Sequence, residues 1–108
     1  MKVYLTRKKS GVNATGNFDL VSKELIVLKG SVLSSTVSHT AKFRGAKSIE
    51  KSREGILKDN ILLVDVAFKS ASTAANFVTG ISTNGLTAWK DEKGRTIKEI
   101  VAEGDRFE

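Results

Sequence analysis

Residues 68–90 restrict the fold more than any other stretch, because they spell out the start, end and turns of one supersecondary unit. They read Phe-Lys-Ser-Ala-Ser-Thr-Ala-Ala-Asn-Phe-Val-Thr-Gly-Ile-Ser-Thr-Asn-Gly-Leu-Thr-Ala-Trp-Lys. An apolar strand ends at Phe68 and a serine cluster opens a short helix. Ser70 or Ser72 can accept the unpaired N–H groups of its first turn. Ala74, Ala75, Phe77 and Val78 provide a packing face, and Gly80 suits the left-handed residue that closes many helices. Asn84-Gly85 is the strongest turn signal in the chain, since both residues tolerate positive φ. A second strand is expected from that turn to Trp89, the only tryptophan. Nothing in the stretch is an evident nucleophile or metal ligand.

Upstream, Lys2 to Thr6 reads as a short strand and Arg7-Lys-Lys-Ser-Gly11 as a basic turn. Gly11 to Phe18 reads as an irregular strand in which Gly16 marks a bulge or a close backbone approach. Glu24 to Lys29 is an apolar, β-branched run, a strand broken by Gly30-Ser31. Residues 41–54 form the long helix candidate, with Phe43, Ala46 and Ile49 on one side and Arg44, Lys47 and Lys51 on the other. Gly55 is its expected stop, Lys58-Asp-Asn60 a turn, and Ile61 to Phe68 a second buried strand. After Trp89, residues 90–94 read as a hairpin-like turn. Thr96 to Glu99 has capping-box spacing for a last helix, which Gly104 is expected to end.

Strands mixed with helices, without regular alternation, predict an α+β fold over a doubly wound one. The expectation is a single domain over 1–108, with an antiparallel or mixed sheet of about five strands packed by two to three helices.

Composition excludes several chemistries. The chain of 108 residues has no cysteine, one histidine and no proline. Disulfides, thiolate metal sites and a histidine pair for zinc are therefore ruled out, and no metal site or cofactor is expected. His39 in a polar loop has no neighbour that marks it as a catalytic base, and the acidic residues lack metal-loop spacing. The P-loop and dinucleotide glycine patterns do not occur. A binding or accessory module is favoured over an enzyme, with no catalytic residue assigned. The absence of an apolar run long enough for a bilayer points away from a membrane, and the cysteine-free composition fits a cytoplasmic location.

The net charge of +6 is unevenly distributed. Residues 1–58 hold 12 Lys and Arg against 4 Asp and Glu, whereas residues 59–108 hold 6 against 8. Such asymmetry is the footprint of a polyanion partner, and it is also what a lysine-rich solvated surface looks like. On the first reading Lys29, Arg44, Lys47, Lys51, Lys69 and Lys90 supply phosphate contacts. Ser70 and Ser72 join them at the start of the helix, where the dipole favours anions. Trp89 beside Lys90 either stacks a base or anchors the core.

Val27-Leu-Lys-Gly30-Ser31, Phe68 to Ala75 and Gly80-Ile-Ser-Thr-Asn84-Gly85 followed by Trp89-Lys90 together resemble a small bacterial and archaeal domain of unknown function. That domain often occurs at the C-terminus of GIY-YIG nucleases and with other restriction-modification proteins. Ala14-Thr-Gly16 resembles its upstream element, so the likeness spans nearly the whole chain. A more distant similarity links the Ser70-x-Ser72-x-Ala74-Ala75 and Asn84-Gly85…Trp89 theme to the restriction-enzyme adenine-methylase-associated domain. Ala71 stands where the small domain of unknown function often has proline, and Leu86 where it often has an aromatic residue. The resemblance implies an accessory role near nucleic acids, beside a partner enzyme or parent nuclease. The alternative is a protein-interaction or regulatory module with an exposed apolar patch near Leu86 and Trp89.

Overall fold

Alternation of apolar and polar residues builds the sheet. Val3 and Leu5, then Val12, Ala14, Gly16 and Phe18, then Leu25 and Val27 all turn inward, while their neighbours face solvent. The structure, a computed structural model, describes residues 1–38 and 46–106. Strands β1 (Lys2–Arg7), β2 (Val12–Phe18), β3 (Leu25–Val27), β4 (Leu57–Lys58), β5 (Ile61–Leu62) and β6 (Val66–Phe68) are joined by helices α1 (Ala46–Arg53), α2 (Ala71–Thr79), α3 (Gly85–Ala88) and α4 (Ile97–Arg106). The main sheet is antiparallel in the order β1-β2-β3-β6, and β4 and β5 form a separate hairpin. The fold is α+β, as expected.

Register places Val3, Gly16, Val27 and Val66 in one inward row and Phe18, Leu25 and Phe68 in another. α2 covers this face with Ala71, Ala74, Ala75, Phe77 and Val78, all buried. Trp89 and Ile97 complete the core with no exposed surface. The opposite face, including Asn17, Ile26 and Ala67, is open to solvent.

Several expectations need correction. No strand leads to Trp89: residues 85–88 form α3, and only Lys90 pairs with Tyr4 at the outer edge of β1. Asn84-Gly85 is therefore a helix start, with Asn84 Oδ1 accepting the Leu86 N–H at 3.1 Å. The left-handed pair lies instead at Asp59 and Asn60, φ 52° and 66°, which turn β4 into β5. The 61–68 run is two strands, not one buried strand, and Leu63 and Val64 between them are about half exposed (50% and 46%). Gly104 lies within α4 and does not end it. β2 is a regular strand, and its Gly16 marks a close approach: a Cβ there would lie 2.8 Å from Leu25 Cδ2 and 3.5 Å from Trp89 Cζ3. α1 falls inside the predicted 41–54 helix; residues 41–45, with Phe43 and Arg44, and His39 lie outside the described residues.

Candidate functional site

The residues that organised the sequence also organise the site. Ser70 caps α2, its Oγ accepting the Thr73 N–H at 3.1 Å, and Gly80 closes the helix in the left-handed region with φ 75°. Ser72 acts elsewhere, its Oγ accepting the Gly85 N–H at 3.0 Å and so holding α3 against the first turn of α2. Asn76 Oδ1 accepts the Thr83 N–H at 2.8 Å, and the Thr79 and Thr83 hydroxyls are 2.8 Å apart. The loop between α2 and α3 is thus tied down along its length. Trp89 Nε1–H donates to the Ala71 carbonyl at 3.1 Å, inside the core.

Beside this junction lies a cleft of about 390 Å³. Phe18, Ala71, Leu86 and Val101 form an apolar lining, Lys23 and Lys98 supply two cations, and Ser70 and Ser72 border it. Four elements meet here: the end of β2, the β2–β3 turn, the α2–α3 junction and α4. Leu86 is 42% exposed although it is apolar. Lys23 adopts φ 65°, uncommon for a residue with a Cβ. The turn imposes that conformation: Asp19 Oδ1 accepts the Val21 and Ser22 N–H groups at 2.7 and 3.1 Å, and the Lys23 N–H donates to the Asp19 carbonyl at 2.8 Å. The N–H groups of Ser22 and Val21 hold the Asp19 carboxyl below its ordinary pKa of 3.8.

The expected cations do not gather here. Lys90 sits at the β1 edge of the sheet, whereas Lys29 follows β3 and Lys69 follows β6 near the opposite edge. Lys47 and Lys51 are exposed one turn apart on α1. Arg44 is outside the described residues. Ser70, Ser72, Asn84, Gly85 and Trp89 do converge, around the first turn of α2, while Ala74 and Ala75 lie on its buried face and Gly80 closes its far end against Ser34 and Thr36. Gly30 turns with φ 89°, and the buried Ser31 accepts the Thr15 N–H at 3.0 Å. The Trp89 ring, being buried, offers no surface on which a base can stack.

Sequence reasoning missed Lys23, Lys98 and Arg53. Lys98 is one polar position beside the Ile97, Ile100 and Val101 stripe, and no local pattern marks Lys23. Arg53 reaches the end of α2: its guanidinium donates to the Phe77 carbonyl from Nη2 at 2.6 Å and to the Ser34 carbonyl from Nη1 at 2.9 Å. Its carbon also lies 5.7 Å from the Phe77 ring centroid. A cation suits this end of a helix, and burial pushes the pKa of the guanidinium down.

Residues 4–101 match the family described as Domain of unknown function (DUF4357), and the chain belongs to that family. No curated protein and no solved structure matches it significantly.

Proposed function

We propose that this domain is a non-catalytic nucleic-acid-binding accessory module, serving a nuclease or restriction-type enzyme. An unstacked base enters the cleft against Leu86 and Val101, over the buried Phe18 at its floor, and Lys23 and Lys98 meet the flanking phosphates. The observation that carries the reading is the pairing of an apolar cleft with two lysines on separate elements. Single-stranded nucleic acid matches that chemistry, because each nucleotide offers a flat apolar face and a fixed negative charge. The net charge of +6 adds long-range attraction. Lys29, Lys47, Lys51, Lys69 and Lys90 then act as a diffuse field, with the remaining phosphate contacts weak and sensitive to salt.

Titration with single-stranded and duplex DNA, followed by amide chemical shifts at two salt concentrations, tests this. Shifts at Lys23, Ser70 to Ser72, Leu86, Lys98 and Val101 that fade with salt are expected for the single strand. Shifts confined to Lys47 and Lys51 would overturn the cleft while retaining nucleic-acid binding. No shifts at low salt would overturn nucleic-acid binding and favour the protein-interaction alternative, for which exposed Leu86 is the natural contact.

A further inference from the structure

The outer edge of β6 is chemically self-complementary. Strand β6 ends the main sheet, and among the described residues no strand pairs with its far side. The hydrogen-bonding phase of that edge follows from its neighbours. Asp19 N–H donates to the Glu24 carbonyl and Leu28 N–H to the Thr15 carbonyl, each at 2.9 Å, so residues 24 and 28 of this ladder turn toward β2. Antiparallel ladders alternate, so Leu25 and Val27 turn toward β6. Their register partners are Phe68 and Val66. The backbone groups of Ala67 therefore point away from the sheet, in phase with those of positions 65 and 69. Ala67, Asp65 and Lys69 are all exposed.

We propose that two copies of this domain associate through β6, antiparallel about a two-fold axis at Ala67. In that register Ala67 faces the partner's Ala67 and exchanges both backbone hydrogen bonds with it. Asp65 faces the partner's Lys69, and Lys69 faces the partner's Asp65. Val66 faces the partner's Phe68. Charges of opposite sign spaced equally from the axis attract in this one arrangement, whereas an identical pair would act as an edge guard. On the solvent face, Ile26 lies opposite Ala67, and Ile26 is 39% exposed. The join continues that row, placing Ile26, Ala67 and the partner's Ala67 and Ile26 side by side across one extended sheet. Such an interface is isologous and closes at the dimer.

Sedimentation equilibrium of the 108-residue chain, from micromolar to millimolar concentration, is the test. A rise to twice the monomer mass is expected, and a monomer throughout would overturn the proposal. Lys69→Glu and Asp65→Lys each place like charges opposite one another twice, and each is expected to weaken association by roughly tenfold. Mixing the two variants restores attraction at both positions, so the mixture is expected to form a heterodimer of wild-type strength. A mixture as weak as its components would overturn the register. Asp65 Oδ1 also accepts the Lys29 N–H at 2.8 Å. Should Asp65→Lys fail to fold, Ala67→Pro serves instead, since it removes an outward N–H and leaves the contacts to β3 in place. An Ala67→Pro variant that dimerises like the wild type would equally overturn the proposal.

Discussion

Gly85 and Ala71 touch through their backbones. A Cβ on Gly85 would fall inside the van der Waals radii of the Ala71 carbonyl and the Ser72 nitrogen. The same Ala71 carbonyl accepts the Trp89 indole N–H. The Asn-Gly pair is thus needed for space and for capping, since among the described residues positive φ is found at five other glycines but not at Gly85. Gly85→Ala is expected to cost about 2 kcal/mol or more, through backbone shifts that no rotamer change relieves. For a chain of this size that lowers Tm by roughly 10 °C. Gly94→Ala is the comparison: φ there is 81° but the space is open, so about 1 kcal/mol is expected. Thermal unfolding of both variants measures the difference, and equal losses would refute the close-approach explanation.

Trp89 reports on the core and not on the ligand. Its ring has no exposed surface, so its fluorescence is expected to be blue-shifted and poorly quenched by acrylamide, with or without DNA. Trp89→Phe removes the donor to Ala71 and leaves a cavity, at a cost of about 2 kcal/mol in denaturant unfolding.

Arg53 is expected to tolerate no substitute. Its fork serves Ser34 and the last carbonyls of α2 together, a geometry that the single ammonium of lysine does not reproduce. Arg53→Ala strands partly buried acceptors and is expected to lose about 2 kcal/mol. Arg53→Lys should recover less than half of that, as urea midpoints would show.

Asp91 links the last turn to pH. Burial pushes its pKa up, but hydrogen bonds from Arg95 and Lys93 and the charge of Arg95 outweigh this and hold it below 3.8. A carboxylate depressed in the folded state adds stability that is present above pH 3.8 and is lost as pH falls through the lower folded value. Asp91→Asn should therefore be less stable than the wild type at neutral pH, with the gap narrowing in acid. A gap unchanged between neutral and strongly acidic solution would contradict the assignment.

Leu86 offers a gain-of-function test of the cleft. The resembled family often carries an aromatic residue at this position, and Leu86 is 42% exposed on the cleft wall. Leu86→Tyr is expected to tighten single-stranded DNA binding roughly tenfold through stacking, with little change at a duplex. Lys98→Ala should weaken binding to both and reduce its salt dependence.

What could be read along the chain was whatever depends on neighbours within a few residues. The cap at Ser70, the left-handed stop at Gly80 and the Thr96 cap all follow from local sterics and hydrogen bonding. The family resemblance drew on the same local patterns, Ser70 to Ala75 and Asn84 to Trp89, and the match over residues 4–101 supports it. Tertiary structure decided the rest. Whether Asn84-Gly85 turns a hairpin or starts a helix depends on Ala71 and Ser72 pressing against Gly85 from a distant part of the chain. Whether 61–68 is one strand or two depends on which halves find partners, β5 with β4 and β6 with β3. Lys23 and Lys98 meet at one cleft only because the β2–β3 turn and α4 pack toward the same end of α2. Burial and contact across long separations are properties of the packed chain, and local spacing carries no record of them.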